Sequence, residues 1–189
     1  MDNTSLAVEW VLASGSPRRA KILADQGVMF RVVCTNATEV SYPGDPMRTV
    51  CENARRKALA YSARAGEHVI SADTIVTLDN RILGKPRDYE EAKAYLRLLS
   101  GRTHAVYTAV ALDGEVRVEK SEVTFRTLDE ATIASYVDEV KPLDRAGTYD
   151  IDVQGARLIA SYTGSYENIM GLPLEPLAAW GVIRLKKNC

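Results

Sequence analysis

Two arginines follow a turn of small residues near the start of the chain, in the segment Ser14-Gly-Ser-Pro-Arg-Arg19. Ser16 suits the N-cap of a helix and Pro17 its first position, so both arginines fall in the first helical turn. The partial positive charge of a helix N-terminus makes arginines unfavourable there unless they serve a ligand. Backbone N–H groups and two guanidinium groups would together bind an anion. The alternative is a capped surface helix with solvated arginines.

Two carboxylates stand where strands are predicted to end. Asp73 directly follows the apolar stretch His68–Ala72, and Glu39 lies beyond the strand predicted over Phe30–Cys34. Sheets of α/β proteins usually bind ligands at the carboxyl ends of their strands, so both carboxylates are candidate functional groups. The alternatives are an aspartate that only opens a turn and a glutamate in a solvated loop.

Two lysines complete the candidate set. Lys85 lies between Gly84 and Pro86, where glycine permits close approach and proline fixes the following backbone. This arrangement suits a lysine held at a phosphate, and a plain turn suits it equally. Lys57 ends the run Asn53-Ala-Arg-Arg-Lys57 on a predicted helix, where a solvated charged face is the simpler interpretation.

Several common catalytic motifs are absent from the sequence. It contains no P-loop, dinucleotide-binding fingerprint, HExxH, GxSxG or His/Cys cluster with zinc-site spacing. The two histidines, His68 and His104, are interpreted as structural or surface residues, which argues against a Ser-His-Asp hydrolase. The glycine-rich segment Gly164–Glu175 is interpreted as architectural. An enzyme built from this chain would therefore use carboxylates, cations and a metal.

The elements that must position these residues alternate between strand and helix patterns. Strands are predicted over Trp10–Ala13, Phe30–Cys34, His68–Ala72, Ile75–Leu78, Arg81–Leu83 and Arg157–Tyr162, with a hairpin over Thr103–Leu112 and Glu115–Thr127. Helices are predicted from Pro17 to Gly27, over Met47–Arg64, from Asp88 to Gly101, over Asp129–Glu139 and near Pro173–Ile183, and Thr35–Pro46 is predicted as a loop. This order predicts an α/β fold with a mixed sheet and flanking helices.

Length and charge narrow the class of protein. The chain has 189 residues, with 24 Lys+Arg against 25 Asp+Glu, which predicts a single domain over residues 1–189. A net charge of −1 argues against stable nucleic-acid binding, because such proteins carry a basic excess. No apolar run approaches a membrane span, and the start Met1-Asp-Asn-Thr4 lacks an export signal. Three cysteines without CxxC spacing (Cys34, Cys51 and Cys189) favour a reduced compartment, so a cytoplasmic location is expected.

Together these segments resemble the Maf family of nucleoside triphosphate pyrophosphatases, from about Val11 to Leu177. The resemblance rests on six ordered segments: Leu12-Ala-Ser-Gly-Ser-Pro-Arg-Arg19, Ser71-Ala-Asp-Thr74, Leu83-Gly-Lys-Pro86, Leu99-Ser-Gly-Arg-Thr-His104, Pro142-Leu-Asp-Arg-Ala-Gly147 and Gly164-Ser-Tyr through Met170-Gly-Leu-Pro-Leu174. It implies an elongated α/β fold with a central cleft, similar to inosine triphosphate pyrophosphatases, and a homodimer. Residues 1–9 form an extension outside this pattern.

The resemblance also implies an activity and residue roles. The family hydrolyses the α–β phosphoanhydride of a nucleoside triphosphate, releasing the monophosphate and pyrophosphate with a divalent cation such as Mg²⁺ or Mn²⁺. Asp73 matches the proton acceptor and, with Glu39, lies at the metal. The phosphate-handling positions are matched by Ser14, Arg18, Arg19, Lys57 and Lys85, and the base-selecting positions by Arg18, Thr74 and Gln154.

The base-selecting residues are similar to those of the branch acting on dTTP and UTP. That branch usually reads Ala-Gly-x-Tyr-x-Ile-Gln, whereas here Asp150-Ile-Asp-Val separates Tyr149 from Gln154, two residues more than the pattern. The alternatives are a 7-methyl-GTP or noncanonical purine pyrophosphatase, and a non-catalytic cell-division regulator. The two carboxylates favour catalysis, because a pure anion-binding site would gain from their removal.

Charge supports the metal expectation. The matched cations carry +4 and the two carboxylates −2. A bound Mg²⁺ would bring the site to about +4, against roughly −4 for a free triphosphate. Asp73 is expected to orient or deprotonate a water on the metal, which attacks a phosphorus in line with the leaving oxygen.

Overall fold

The structure is a computed structural model that describes residues 8–185. Its strands are β1 (Glu9–Leu12), β2 (Phe30–Val32), β3 (Glu67–Leu78), β4 (Arg81–Leu83), β5 (Thr103–Leu112), β6 (Glu115–Phe125) and β7 (Ile159–Thr163). Its helices are α1 (Pro17–Asp25), α2 (Pro46–Leu59), α3 (Tyr89–Leu99), α4 (Glu130–Val140), α5 (Gly155–Leu158), α6 (Tyr166–Met170) and α7 (Leu174–Ala179), with a 3-10 turn at Ala146–Thr148. The expectations for Met1–Thr4 and Cys189, and part of the predicted extension and single domain, lie outside the described residues.

The strands form one mixed sheet. Its order is β2-β1-β3-β5-β6-β7, with β4 paired to β3 off this path. The β2–β1 and β1–β3 pairs are parallel, and every other pair is antiparallel. The predicted α/β class with a mixed sheet is therefore confirmed.

Helices cover both faces of the sheet because neighbouring strand residues point to opposite sides. Val11 and Val69 pack with α2, whereas Leu12 and Ile70 pack with α1, α6 and α7. A third cluster packs α3 and α4 against the end of the β5–β6 hairpin that lies opposite its turn. Both faces of the sheet and one end of the β5–β6 hairpin are thus buried. The loops that connect these packed elements line a cleft.

The long central strand β3 differs from its prediction. A strand that ends at Ala72, with Asp73 after it, is predicted from the sequence, but β3 runs unbroken through Asp73 to Leu78. Parallel pairing with β1 stops at Leu12 opposite Ile70, while antiparallel pairing with β5 continues on the other side. Asp73 therefore lies where the neighbouring strand has ended, and the long β5 partner is what keeps the chain extended.

Helix α2 is shorter than the predicted Met47–Arg64. It ends at Leu59, because the chain must turn back to enter β3 at Glu67. The Glu67 carboxylate accepts from the backbone N–H of Arg64 at 2.8 Å and from the Tyr61 hydroxyl at 2.8 Å. These bonds stabilise the turn in place of another helical turn. The closing helix is also shorter than predicted, since α7 spans only Leu174–Ala179.

Candidate active site

The loop between β1 and α1, where the sequence predicts an anion site, leads into a helix N-terminus without a side-chain cap. Ser16 is the N-cap of α1 but its side chain makes no capping bond, and the first turn contains no acidic residue. The Ser14 hydroxyl, which is buried, accepts from the Ser16 backbone N–H at 3.2 Å. The N-terminal N–H groups of α1 are thus left without a carboxylate, so they can bind an anionic ligand.

Arg19 is half-buried and is held by three acceptors. Its Nε donates to the Gly171 carbonyl at 2.8 Å, one terminal nitrogen to Ser14 Oγ at 3.2 Å and the other to Thr74 Oγ1 at 3.0 Å. Burial lowers the pKa of Arg19 from its ordinary value, although the Asp73 carboxylate opposes the shift. The guanidinium is therefore a fixed cation at the floor of the cleft.

A chain of hydroxyls fixes Thr74 beneath Arg19. The Thr108 hydroxyl donates to the Asn168 carbonyl at 2.9 Å, so its oxygen accepts from the Thr74 hydroxyl at 3.0 Å, since a hydroxyl has one proton to donate. Thr74 in turn accepts from Arg19. Every proton in this chain has one assigned direction, which orients Thr74 without a ligand.

Asp73 and Glu39 share one ammonium group. Lys57 Nζ lies 2.5 Å from Asp73 Oδ1 and 2.8 Å from Glu39 Oε1, and Asn53 Nδ2 donates to Asp73 Oδ2 at 3.2 Å. Burial raises the pKa of Glu39, but the hydrogen bond and charge of Lys57, with the charges of Lys85 and Arg19, outweigh it and lower the pKa overall. Both carboxylates thus converge on one point.

Helix α2 positions both Lys57 and the loop that carries Glu39. Asn53 and Lys57 are four residues apart and share one face of the helix. Asn53 also pairs with both backbone groups of Val40, at 2.8 Å and 3.0 Å, and Thr49 accepts from the Tyr42 N–H at 3.0 Å. The loop is therefore fastened to the same helix face as Lys57.

Arg18 points to a different part of the cleft from Arg19. Its guanidinium lies 3.3 Å from Asp150 Oδ2, and Arg145 Nε lies 3.6 Å from the same oxygen. Asp144 flanks both arginines from an exposed position, at 3.9 Å and 3.3 Å. Arg145 and Asp150 therefore add a charged pair to the cleft, and neither residue is among the site residues predicted from the sequence.

Two joined cavities form the cleft. One, of about 350 Å³, is lined by the β1–α1 loop, Glu39, Lys57 and Lys85. The other, of about 360 Å³, shares these charged residues and extends to an apolar end. The apolar end is lined by Val76, Val106, Tyr149, Ile169 and Met170. A ligand with an anionic half and a flat apolar half fits this division.

Comparison with known proteins identifies the family of this chain. The family model described as Maf-like protein matches residues 9–180. The chain belongs to the Maf family. It is 45% identical to a dTTP/UTP pyrophosphatase of Myxococcus xanthus, covering 89% of each chain, and 43% identical to a dTTP/UTP pyrophosphatase of Bacillus cytotoxicus, covering 89% of this chain and 92% of that one. It also resembles the Staphylococcus aureus Ham1 structure at 18% identity and TM-score 0.43, over 64% of this chain and 72% of that one.

The structure of this Maf protein brings most of the sequence-predicted residues to one cleft. Glu39, Lys57, Asp73, Lys85, Arg18, Arg19 and Thr74 all line the larger cavity, and Ser14 lines the smaller one. Gln154 is the exception. It is exposed with φ +54°, its amide donates to Glu139 at 3.1 Å, and it lines neither cavity.

Sequence reasoning missed four polar contributors to the Maf cleft. Asn53 carries a signal, since it lies one helical turn before Lys57. Asp150 carries a weaker one, because it directly follows the Ala146–Tyr149 part of the family pattern. Arg145 lies in a family motif to which the sequence assigns no role, and Thr108 lies in the predicted hairpin. No sequence spacing marks either residue as part of the site. The segment interpreted as architectural also reaches the site, through the Gly171 carbonyl.

The residues present fit a divalent cation that is held jointly with a substrate. Glu39 and Asp73 both lie against the Lys57 ammonium group, so a cation would bind beside Lys57 on their remaining lone pairs, and two carboxylates with substrate phosphates are a ligand set that Mg²⁺ uses. Within residues 8–185 no group of three or more His, Cys, Asp or Glu side chains could hold a metal ion. The same described residues contain no helix long and apolar enough to cross a membrane.

Proposed function

We propose that this chain hydrolyses dTTP and UTP to the nucleoside monophosphate and pyrophosphate, with a divalent cation. The observation that carries the proposal is the Asp73 carboxylate, buried beside a cluster of cations at the junction of an anion-binding loop and an apolar pocket. Relatives 40–45% identical are named dTTP/UTP pyrophosphatases, which supports the same bond and bases for this chain.

The two cavities divide the substrate between them. The N–H groups at the start of α1, Arg19 and Lys85 bind the triphosphate, because they are the donors and cations of the smaller cavity and such groups bind phosphate oxygens. The base occupies the apolar end, between Tyr149 and Met170. In this arrangement the α–β anhydride lies near Asp73, which lines the larger cavity.

Asp73 acts as the proton acceptor. Lys57 and Asn53 donate to its two oxygens and fix the carboxylate plane, and each oxygen keeps a further lone pair for a water molecule. The water oxygen forms a bond to a phosphorus of the α–β anhydride, the bridging P–O bond breaks, and the water proton goes to Asp73. Lys57 and Arg19 stabilise the charge that develops on the phosphoryl oxygens.

The charge of the cleft favours a cation that arrives with the nucleotide. The two cavities are lined by five cationic and four acidic side chains, a net charge of +1. A free triphosphate carries roughly −4 and would leave this site strongly negative. Glu39 and Asp73 would hold the cation, which when bound neutralises phosphate charge and makes water more acidic.

The test is pyrophosphate release from dTTP, UTP, CTP, 7-methyl-GTP, ITP and ATP, with Mg²⁺, Mn²⁺ or chelator. We expect turnover led by dTTP and UTP, and only with metal. Asp73→Asn should abolish turnover while nucleotide binding persists. The matched control is Asp79→Asn, which removes an exposed carboxylate outside both cavities. It should change neither turnover nor nucleotide binding.

Other results would contradict the proposal in distinct ways. A lead by 7-methyl-GTP or ITP would replace the base assignment but keep the reaction. Binding without turnover on any substrate would favour the regulatory protein instead. Equal loss of binding and turnover in Asp73→Asn would remove its assignment as proton acceptor. Homodimerisation, a cytoplasmic location and the lack of stable nucleic-acid binding stay predictions.

A further inference from the structure

Asp150 is a buried carboxylate that lines the larger cavity, flanked by two arginines. Its side chain is only 3% exposed, and Arg18 and Arg145 approach the same oxygen, Oδ2, at 3.3 Å and 3.6 Å. Neither distance is that of a short charge-assisted hydrogen bond, and the longer one exceeds hydrogen-bond range. Oδ2 therefore keeps accepting capacity.

The backbone around Asp150 is rigidly held. The Asp152 N–H donates to Asp150 Oδ1 at 3.0 Å, and the Asp150 N–H donates to the Tyr136 hydroxyl at 3.1 Å. Gly147, three residues earlier, has φ +66° and packs directly on Val76. The carboxylate is thus presented to the cavity in one orientation, as base recognition requires.

Arg145 is incompletely hydrogen-bonded. Its Nε lies near Asp144 and Asp150 at 3.3 Å and 3.6 Å without hydrogen-bond geometry, and within the described residues its buried terminal nitrogen Nη1 has no hydrogen-bond partner. Buried unpaired donors of a charged group are costly, and native structures rarely retain them without a ligand. Since Arg145 also lines the larger cavity, a substrate atom can supply the acceptor.

We propose that Asp150, with Arg18 and Arg145 on either side, reads the imide edge of uracil and thymine. The three residues offer donor, acceptor and donor, and the imide edge offers acceptor (O4), donor (N3–H) and acceptor (O2). Asp150 accepts the N3 hydrogen, and the guanidinium groups donate to the two carbonyl oxygens. Cytosine carries an acceptor at N3 and a donor at N4, so it mismatches at two of the three positions.

This assignment rests on the proposed function and changes which residue selects the base. Gln154 lies outside both cavities, paired with Glu139 and Arg157. Asp150 is four residues earlier in the chain and lies inside the larger cavity beside Arg18. Asp150 therefore reads the base in this protein, and Gln154 does not.

The experiment compares kcat/KM for UTP, CTP and 3-methyl-UTP, which lacks the N3 hydrogen. With the wild type, we expect UTP to exceed each analogue by about tenfold or more, the effect of one hydrogen bond to a charged group. Asp150→Asn should lower the UTP-to-CTP ratio about tenfold, because its amide can also donate to cytosine N3. Asp150→Ala should bring UTP and 3-methyl-UTP within about threefold of each other, because neither substrate then has an acceptor opposite N3.

The control is Asp79→Asn, which removes an equal charge from an exposed position outside both cavities. Its UTP-to-CTP ratio should equal that of the wild type. If Asp150 only stabilises the fold, its variants will lower turnover of all three substrates by one common factor, and the proposal is wrong. Wild-type protein that accepts 3-methyl-UTP as well as UTP overturns it without any variant.

Failure of the proposed function gives a different result. If the wild type releases pyrophosphate from no triphosphate, the enzyme assignment fails, and calorimetry with α,β-methylene analogues of UTP and CTP still tests Asp150. Preferential binding of the UTP analogue that Asp150→Asn abolishes supports the base-reading role. Equal affinity of the wild type for both analogues overturns it.

Discussion

Lys57→Met tests whether the Lys57 ammonium group stabilises the Glu39 and Asp73 carboxylates, which both lie beside it in the cleft. Lys57 is 16% exposed and Asp73 is 8% exposed, with 2.5 Å between Nζ and Oδ1. Removing one partner of a buried ion pair costs about 3–5 kcal/mol, because the other charge stays buried. Asn53 keeps its bond to Asp73, so we expect a loss near the lower end, about 3 kcal/mol at about pH 8.

The loss should shrink at acidic pH. Burial raises the pKa of Glu39, but the hydrogen bond and charge of Lys57 lower it below its ordinary value of 4.5. A lowered native pKa contributes stability that is present above the ordinary value and is lost as the pH falls through the native value. Lys57→Met removes this contribution, so the deficit relative to the wild type is expected to be full above about pH 5 and smaller at more acidic pH.

The assay is urea unfolding at several pH values from about 3.5 to about 8, for Lys57→Met, Asp73→Asn and the double variant. The double variant has no unpaired charge at Asp73, so it should recover part of the lost stability, with a coupling of about 1–3 kcal/mol. The control is Lys21→Met, which breaks a 2.8 Å pair whose side chains are 65% and 57% exposed. Loss of a pair this exposed should change the free energy of unfolding far less than Lys57→Met does, because solvent screens it.

Two results would refute this reasoning. Additive losses in the double variant would mean that Lys57 does not stabilise the Asp73 charge. A deficit that stays constant from about pH 8 down to about pH 3.5 would mean that Lys57→Met acts through packing, since packing losses do not titrate.

Three further contacts can each be tested by one substitution. The Cβ of Gly147→Ala would lie 2.7 Å from Val76 at φ +66°. This variant should cost about 1–3 kcal/mol in urea unfolding. Gly44→Ala, with open space at φ +80°, should cost less. Gln154→Ala should leave the UTP-to-CTP ratio of kcat/KM unchanged, because its side chain lies outside the cleft. The pKa of Glu67 is lowered from 4.5 to about 2 by the Arg64 N–H and then by Arg31 and Tyr61. Glu67 therefore contributes stability that is lost as the pH falls through this interval, so the stability difference from Glu67→Gln in urea unfolding should shrink there.

Local rules predicted the parts of the fold that depend on neighbouring residues. Ser16 and Pro17 set the start of α1, and Asp88 and Asp129 cap α3 and α4 as predicted, each accepting from a backbone N–H three residues on. Such caps depend on residues within one helical turn. The β5–β6 hairpin follows its Asp113-Gly turn, a pair that favours tight hairpins. These elements required no knowledge of distant contacts.

Errors arose where a distant partner overrides local preference. Asp73 was expected to end a strand, but β5 holds the chain extended through it. The end of α2 was set by Glu67 rather than by helical periodicity, because that carboxylate bonds the turn before β3. Propensity and spacing act over a few residues and carry no information about such partners.

The sequence by itself determined the residue types of the cleft, their order along the chain and their family. Tertiary structure alone decided which of them meet. Arg18 and Asp150 are 132 residues apart in sequence, and they face each other because Gly147 packs on Val76 and turns the chain back toward the start of α1. Gln154 is turned to the surface at a left-handed residue, where Glu139 and Arg157 bind it. Contacts of this range are selected by packing of the whole core, which no local pattern encodes.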